Sequence, residues 1–459
     1  KSWENDMKNN RFLSVFLLAA LLLALWAPPR AAALEPPEIQ CKAALLVDAH
    51  TGAVVYAKDE HQELYPASLT KIMTCLLTLE AIDRGKLSMN QAITVTASSL
   101  EGLSSDGSTA NIQAGEILTV ENLLYCMMLV SANESCHILG ETISGSVAAF
   151  VGEMNAKAEA LGCVNTHFVN PHGLNDSQHY TSAWDMYLIT REALKHEQFM
   201  TICDTPTAVI PATNLSPART LRTTNYLIGS WYTRGYLNGD AHGVKTGSTS
   251  QAGHCLVSTA TRGTRSFISV VLGGDRVELE NNEIRTYSFY DTNQLFHWAF
   301  DNFTYQTLLE DDEPVLEVAV SLSKEDHVIA HPANDVEVLL PNDIAPEALE
   351  RAVTLTADPV EAPVAAGDVL GTMTLSYDGT EYASVDLLAL YDVESSRSQV
   401  LLRDMRLFFG QTSVKAAGAV LAALAILLAV WKLIFSRRRY RYGRSVGRSR
   451  RSSYRGRRR

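Results

Sequence analysis

A serine and a lysine stand three residues apart in the stretch YPASLTKIMT, residues 65–74, where an apolar helix is predicted to begin. Pro66 suits the first turn of a helix, because the backbone N–H that it lacks would have no partner there. Residues three apart lie on one face of a helix, so Lys71 can reach the hydroxyl of Ser68. Such a pair can attack an amide, since a serine hydroxyl needs a base within hydrogen-bond reach. A capping serine beside a solvated lysine is the alternative.

Two further short motifs supply residue types that such a site needs. Ser131 and Asn133 lie between two apolar helical segments in LVSANES. Lys245, Thr246 and Gly247 lie on a predicted strand in HGVKTGSTS. Each motif is weak alone, because Ser-x-Asn often caps a helix and Lys-Thr-Gly often ends a strand in a turn. Together, and in this order, the three motifs favour nucleophilic catalysis.

The residue types indicate how the chemical roles are divided. Lys71 can act as a base only when it is neutral, and burial together with a nearby cation lowers a lysine pKa. We expect Lys245 to be that cation. Ser131 can pass a proton to the leaving amine, and Asn133 can hold both the substrate peptide group and the lysine. Gly247 is expected to let the substrate backbone lie flat against the strand.

The same motifs carry a resemblance to known families. Ser-x-x-Lys, Ser-x-Asn and Lys-Thr-Gly are signatures of the penicillin-binding protein and serine β-lactamase superfamily, which this chain resembles. More narrowly, the chain is similar to the D-alanyl-D-alanine carboxypeptidases of peptidase family S11 in YPASLTKIMT, LVSANES, NPHGLNDSQHYTSAWDM and GVKTGSTSQAGHCLV. The resemblance covers about residues 38–275. It implies an α/β fold of the α+β type, with an antiparallel sheet and a helical cluster, followed by a small all-β domain and a C-terminal transmembrane helix.

The resemblance also implies a reaction and the residues that perform it. The expected enzyme removes the terminal D-Ala from peptidoglycan stem pentapeptides through a serine acyl-enzyme, is inhibited covalently by β-lactams and needs no cofactor or metal. The implied catalytic residues are Ser68, Lys71 and Ser131, and the implied substrate-binding residues are Asn133, Lys245, Thr246, Gly247 and Ser248. The backbone N–H groups of Ser68 and Ser248 would form the oxyanion hole, and Lys245 and Thr246 would bind the terminal carboxylate. A family arginine often assigned to that carboxylate has no clear match.

Two other functions are compatible with these motifs. A β-lactamase shares all three, although the appended β segments and the apolar C-terminal run argue against it. A membrane-anchored cell-wall binding protein without activity is the second alternative. His172, His179 and His254 suggest a zinc site or a Ser-His pair, but none of the three belongs to a His-x-x-x-His or His-Glu-x-x-His spacing. We expect these histidines to make structural hydrogen bonds.

Both ends of the chain predict export and anchoring. Residues 7–33 are predicted to be a secretory signal peptide, because a basic start and an apolar core precede the small residues Ala31 and Ala33. Residues 416–435 are apolar and long enough to span a bilayer. The Arg-rich segment 436–459 follows, and the positive-inside rule places it in the cytoplasm. The expected location is the cell membrane, single-pass, with the catalytic domain on the extracytoplasmic side.

The charged residues are distributed unevenly between the body of the chain and its C-terminal segment. The net charge of −12 includes 12 Arg and no acidic residue from Ser436 onward, which leaves −24 for residues 1–435. An acidic body argues against nucleic acid as a partner, so the expected partners are stem peptides, β-lactams and the membrane. We expect the tail to contact anionic lipid, with RNA as the alternative.

The rest of the chain has a regular organisation. Residues 38–275 form the predicted catalytic domain, with a hairpin near Asp48–Gly52, five helical segments (68–84, 119–129, 133–144, 147–161 and 182–195) and three final β segments. Then come a helical connector at 276–303, an all-β domain at 304–394 and an amphipathic segment at 395–411. The seven cysteines contain no CxxC pair and sit among apolar residues, so we predict buried free thiols.

Overall fold

The computed structural model describes residues 34–104, 107–233 and 235–436. The predicted signal peptide at 7–33 lies outside the described residues, as does the Arg-rich tail apart from Ser436. Two compact units divide the chain. The first contains Lys1–Leu308, Glu337–Glu350 and Ser376–Tyr382, and the second contains Leu309–Val336, Arg351–Leu375 and Ala383–Arg459.

A five-stranded antiparallel sheet forms the centre of the first unit. Its order is β2-β1-β9-β8-β7, so β7 lies at one edge. The strands are β1 (Ala43–Asp48), β2 (Val54–Lys58), β7 (Ala241–Thr249), β8 (Gly253–Arg262) and β9 (Arg265–Gly274). The predicted N-terminal hairpin and the three predicted β segments are confirmed.

Helices and short hairpins cover one face of this sheet. The helices are α1 (Lys71–Asp83), α2 (Val120–Leu129), α3 (Asn133–Ser144), α4 (Val147–Ala160), α5 (Ala183–Ala193) and α6 (Glu197–Cys203). The hairpins are β3 (Ala92–Thr94) with β4 (Ile117–Thr119), and β5 (Thr207–Ile210) with β6 (Arg219–Arg222). The first five helices match the predicted segments to within a few residues. All seven cysteines are free and buried in the structure, as predicted.

Residues 276–303, predicted as a helical connector, differ from that expectation in their first part. A hairpin of β10 (Arg276–Glu278) and β11 (Ile284–Thr286) precedes the helix α7 (Tyr287–Asn302). The helical prediction is therefore wrong for residues 276–286, where the chain reverses through Asn282 at a positive φ of 64°. The helix itself packs on the sheet and buries Phe289, Phe296 and Phe300.

Both faces of the sheet are therefore covered. Along β1, Leu45 and Val47 belong to the core beneath the helical cluster. Their neighbours Ala44 and Leu46 belong to the core beneath α7. Successive side chains of a strand point to opposite faces, so one fully buried strand contributes to two cores. This explains why the sequence AALLVD is apolar almost throughout.

The remaining chain is mainly β structure. The strands are β12 (Phe303–Leu309), β13 (Leu316–Ser321), β14 (His327–Pro332), β15 (Val336–Pro341), β16 (Glu350–Leu355), β17 (Val360–Glu361), β18 (Val369–Tyr377) and β19 (Thr380–Ala389). β12 pairs with β15, and the other six form a sheet of order β16-β18-β19-β14-β13-β17. The predicted Asp-Gly turn joins β18 to β19, with Asp378 and Gly379 both at positive φ.

Two helices follow the β strands. The first, α8 (Arg397–Gly410), has no buried residue. The second, α9 (Thr412–Ser436), contains the predicted span and has a mean hydropathy of 2.4 in its most apolar 18-residue window, none of which is buried. By length and composition this helix is compatible with membrane anchoring.

Candidate active site

The turn that carries Ser68 packs against the edge strand β7. Residues Ala67–Thr70 form a short 3-10 helix just before α1, and Ala67 adopts a positive φ of 49°. A Cβ atom at Gly247 would lie 2.9 Å from the Pro66 carbonyl oxygen and 3.2 Å from the Ser68 nitrogen. The glycine is therefore needed for close approach of the strand to the serine turn, a reason that sequence reasoning did not supply.

Lys71 lies at the first position of α1 and contacts Ser68 directly. Its Nζ donates to Ser68 Oγ at 2.9 Å, to Asn133 Oδ1 at 2.8 Å and to the His172 carbonyl oxygen at 2.7 Å. The lysine side chain is fully buried. The structure thus brings together the serine, the lysine and the asparagine that were predicted from separate motifs.

Burial changes the proton affinity of both site lysines. Burial lowers the pKa of Lys71 to about 8, although Cys136 and Glu134 oppose the shift. Burial and then the charge of Lys71 lower the pKa of Lys245 to about 7. We expected Lys245 to remain the charged partner that lowers the pKa of Lys71. Burial lowers the pKa of both lysines, and the assignment of the positive charge to Lys245 stays a prediction.

Ser131 faces the same cleft from the joint between α2 and α3. Its φ of 63° is in the left-handed region, which is uncommon for a residue with a side chain. The hydroxyl is buried and has no hydrogen-bond partner among the residues that the structure describes. A buried hydroxyl without a partner is costly, so this atom is available for a substrate or a proton. Asn133, two residues later, begins α3.

The Lys-Thr-Gly motif lies on β7 as predicted. Lys245 is 1% exposed, and its Nζ donates to the Thr246 carbonyl oxygen at 3.0 Å. The Thr246 hydroxyl lies 2.5 Å from the Thr224 hydroxyl. Ser248 stands opposite His254 in the antiparallel register. Thr246 and Ser248 line the cleft, whereas Lys245 is not among its lining residues.

The loop NPHGL positions the serine and lysine, a role that the sequence analysis did not assign. The His172 carbonyl oxygen accepts from Lys71, as described above, and Gly173 touches the serine turn. A Cβ atom at Gly173, whose φ is +93°, would lie 1.8 Å from the Ala67 carbonyl oxygen. Asn170 Oδ1 holds this loop by accepting from the Gly173 N–H at 2.7 Å. The family-like stretch NPHGLNDSQHYTSAWDM contains this loop and pointed to its importance. It does not show that a backbone carbonyl oxygen of the loop contacts Lys71.

The three histidines behave differently from one another. His179 Nδ1 accepts from the Val169 N–H, so its Nε2–H donates to the Thr70 hydroxyl at 2.8 Å. His172 Nδ1 accepts from the Leu174 N–H at 3.2 Å. Burial lowers the pKa of both rings, to about 4 and about 2, so both are neutral near pH 7. The structural interpretation is confirmed for these two, but His254 lines the cleft instead.

One cleft of about 620 Å³ is lined by the serine and by three of the five predicted binding residues, whereas Asn133 and Lys245 do not line it. Ser68, Ser131, Thr246, Gly247 and Ser248 all line it. The cleft runs along β7, whose outer edge carries no neighbouring strand within the described ranges. A serine next to a buried lysine, beside a strand edge that can bind a peptide, defines a serine hydrolase that uses a lysine in place of a histidine.

Comparison with known sequences gives the family. The profile of the D-alanyl-D-alanine carboxypeptidases, Peptidase S11, matches residues 30–276, and that of the penicillin-binding protein 5 C-terminal domain matches residues 303–395. D-alanyl-D-alanine carboxypeptidase DacF of Bacillus subtilis (strain 168) is 31% identical over 391 residues, covering 84% of this chain and 95% of that protein. DacC of Escherichia coli (strain K12) is 30% identical over 383 residues, covering 81% and 90%. The chain belongs to the Peptidase S11 family of D-alanyl-D-alanine carboxypeptidases.

Solved structures agree with the sequence comparison. Penicillin-binding protein 5 from Haemophilus influenzae is similar with a TM-score of 0.64 at 29% identity, covering 79% of this chain and 100% of that one. A peptidoglycan synthesis regulatory factor (PBP3) from Streptococcus pneumoniae has a TM-score of 0.60 at 26% identity, covering 78% and 100%. The predicted fold class, an α+β domain followed by a small all-β domain and an apolar helix, is confirmed.

Proposed function

We propose that Ser68 is the nucleophile of a D-Ala-D-Ala carboxypeptidase that removes the terminal D-Ala from peptidoglycan stem pentapeptides. The observation that carries this proposal is the 2.9 Å hydrogen bond between Lys71 Nζ and Ser68 Oγ in a buried site. The β-lactamase alternative is not favoured, because the chain also matches a penicillin-binding protein C-terminal domain. The relatives named above are carboxypeptidases, which supports the same reaction.

Acylation follows from the arrangement of these side chains. Neutral Lys71 takes the proton of Ser68 as the hydroxyl oxygen attacks the carbonyl carbon of the penultimate D-Ala. The oxyanion is stabilised by the backbone N–H groups of Ser68 and Ser248. Ser68 lies on the serine turn and Ser248 on β7, and Gly247 allows these two segments to approach each other closely. Ser131 gives its proton to the leaving amine and is reprotonated by Lys71, which becomes neutral again. Water then hydrolyses the ester, with Lys71 again as the base.

The substrate is held by strand addition and by its terminal carboxylate. The edge of β7 offers backbone groups that an extended peptide can pair with. The Thr246 hydroxyl donates to the carboxylate, and the buried Lys245 adds positive potential next to it. Asn133 is held by Lys71 through its Oδ1, so its amide N–H₂ is the group that faces the substrate peptide bond.

The pH dependence of acylation tests the role of Lys71. The base must be neutral, so the rate rises with pH as the lysine pair loses its first proton, with an apparent pKa between about 7 and 8. Below that range we expect the rate to fall about tenfold per pH unit. The measurement is the second-order rate constant of acylation by a penicillin, whose carboxylate stays ionised, from pH 5 to pH 9. A flat profile would contradict a lysine base.

The Thr246 hydroxyl is expected to select a free carboxylate. Losing a charge-assisted hydrogen bond costs about 1.5–3 kcal/mol, which is roughly 10- to 150-fold in kcat/KM. The wild type should therefore prefer a D-Ala-D-Ala acid over its C-terminal amide by about that factor. Thr246→Val should narrow the preference by slowing the acid, because valine keeps the shape and removes the hydroxyl. Equal rates for acid and amide on the wild type would exclude strict carboxypeptidase action.

Anchoring through α9 follows from its length and composition. The 24-residue segment is about 36 Å long, enough to cross about 30 Å of hydrocarbon. We propose a single pass with the Arg-rich end in the cytoplasm, and α8 at the membrane surface, where Leu401, Leu402 and Phe408 are exposed. A chain ending at Glu394 should be recovered in the soluble fraction with penicillin acylation intact. Release of the full-length chain by a carbonate wash would argue against a spanning helix.

A further inference from the structure

A buried carboxylate directly follows the Ser-x-Asn motif. Glu134 is 4% exposed and lies in the first turn of α3. Its Oε1 accepts from the Thr109 hydroxyl at 2.7 Å, from the Ala110 N–H at 2.7 Å and, more weakly, from the Ile112 N–H at 3.4 Å. A carboxylate is costly to bury unless it is hydrogen-bonded, and these three donors all belong to one stretch of chain. Glu134 therefore ties this stretch, called here the 107–112 segment, to the start of α3.

The same segment lies against Asn133. The Ser108 carbonyl oxygen accepts from the Asn133 backbone N–H at 2.9 Å. A Cβ atom at Gly107 would lie 2.5 Å from Asn133 Nδ2, so the backbone of the 107–112 segment contacts the side-chain amide directly. The segment therefore limits the rotation of this amide, while Lys71 binds the amide oxygen.

The orientation of the Asn133 amide determines how Lys71 is held. Asn133 Oδ1 accepts from Lys71 Nζ, and the same Nζ donates to Ser68 Oγ. An amide rotated by half a turn would place its N–H₂ group against the ammonium, and neither group can accept a hydrogen bond. A segment that limits this rotation therefore keeps Lys71 directed at the serine.

Glu134 also adds negative charge near Lys71. Burial lowers the pKa of Lys71, whereas Cys136 and Glu134 raise it. Four other titratable side chains act on Lys71 or feel its charge: Cys136, His172, His179 and Lys245. Burial raises the pKa of the thiol to about 12 and lowers the pKa values of the two histidines to about 2 and about 4, so these three are neutral near pH 7. Among these groups, all in the described part of the chain, Glu134 is the one carboxylate.

We propose that Glu134 is a positioning residue for acylation: its carboxylate holds the 107–112 segment against the Asn133 amide, which orients the lysine base. Its charge belongs to the same role, because it favours the protonated lysine and so sets the pH at which the base becomes available. Glu134 does not line the cleft, so it acts through Asn133 and Lys71 and not on the substrate. This inference rests on the proposed function, because it uses the same nucleophile and base.

The experiment measures the second-order rate constant of acylation by a penicillin from pH 5 to pH 9, on the full chain in detergent. Glu134→Gln keeps the length of the side chain and one acceptor oxygen but removes the charge. We expect the pH of half-maximal rate to fall by about 0.5 to 1 unit, less than for a charge in direct contact with the lysine. The maximal rate at high pH should fall about tenfold, as for the loss of one charge-assisted hydrogen bond.

Glu134→Asp separates the charge from the reach of the side chain. Aspartate keeps the charge but is one methylene shorter, so it cannot reach all three donors of the 107–112 segment. We expect the pH of half-maximal rate to match the wild type and the maximal rate to fall about tenfold.

Glu116→Gln is the matched control, because Glu116 is a second buried carboxylate beside the same segment. It accepts from the Gln113 N–H at 3.0 Å and pairs with Arg219 at 2.6 Å, and it is not among the groups that act on the pKa of Lys71. The variant should have a lower melting temperature, because Arg219 loses its carboxylate partner. Its maximal rate and its pH of half-maximal rate should match the wild type.

The outcomes separate this role from a general effect on the fold. An unchanged pH of half-maximal rate in Glu134→Gln, or an unchanged maximal rate in Glu134→Asp, would overturn the positioning role. So would the same kinetic changes in Glu116→Gln, because loosening of the segment would then explain them. If Glu134→Gln does not fold, the maximal rate of Glu134→Asp decides. A wild type that is not acylated, or whose rate does not depend on pH, would instead remove the proposed function.

Discussion

Ser68→Ala is expected to abolish covalent labelling by fluorescent penicillin and to lower kcat for the pentapeptide by about 10⁴- to 10⁶-fold. The effect is this large because the acyl bond forms on the Ser68 oxygen. Of the three hydrogen-bond partners of Lys71 Nζ, the other two are an amide oxygen and a backbone carbonyl oxygen, which cannot replace that hydroxyl. The substitution removes one half-buried oxygen atom, so the fold should be unchanged. The measurements are labelling stoichiometry, peptide turnover and the melting temperature.

Ser131→Ala is the matched control for the nucleophile. It removes a serine hydroxyl from the same cleft, but one that has no hydrogen-bond partner in the described part of the chain. Labelling should be slower, because proton transfer to the leaving amine is impaired, yet it should still reach one penicillin per protein. Stoichiometric labelling of Ser68→Ala would disprove the assignment of the nucleophile.

Lys71→Arg is expected to lose about 10²- to 10⁴-fold in kcat/KM, the usual contribution of a general base. Arginine keeps the positive charge but cannot be deprotonated near neutral pH. The wild-type lysine can, because burial lowers its pKa to about 8. The measurement is pentapeptide kcat/KM with the melting temperature alongside, because a guanidinium is larger than the ammonium that it replaces.

Two further lysine variants distinguish the loss of a general base from the loss of a positive charge. Lys245→Arg should retain more activity than Lys71→Arg, because the positive potential behind Thr246 is preserved. Lys58→Arg should retain full activity, since Lys58 Nζ donates to the carbonyl oxygens of Ile39 and Cys41, away from the cleft. If Lys71→Arg and Lys245→Arg were equally active, the division of roles between the two lysines would be wrong.

Local signals in the sequence were sufficient for most of the longer helices and strands. The helices α2, α4 and α5 begin where Thr119, Ser146 and Ser182 cap them through their side-chain oxygens. These signals act within a few residues, so they can be read without the fold. The hairpin at 276–286 was missed although its first residues, RVELE, alternate between polar and apolar side chains before Asn281 and Asn282.

The site shows where the sequence alone is insufficient. Motif spacing brought Ser68 and Lys71 together, because three residues of helix fix their separation. The contacts of Lys71 with Asn133 and with the His172 carbonyl oxygen span 62 and 101 residues of chain. No local sequence rule predicts such contacts. Every residue has a backbone carbonyl, so the residue type does not show which carbonyl oxygen contacts the lysine. Glycine is needed at position 173 for a similar reason, because the loop that contains it lies against the serine turn, which is distant in the sequence.

The sequence by itself therefore determined the family, the order of elements and the residue types of the site, since each depends on short-range pattern. The tertiary structure decided how those residues are charged and what surrounds them. The pKa values of Lys71 and Lys245 are both lowered, because burial disfavours the charged form of each and the charge of Lys71 acts on Lys245 through space. Arg276 reaches the cleft because a hairpin folds back beside β7. Electrostatics and cavity shape depend on distances between remote segments, and those distances exist only in the folded chain.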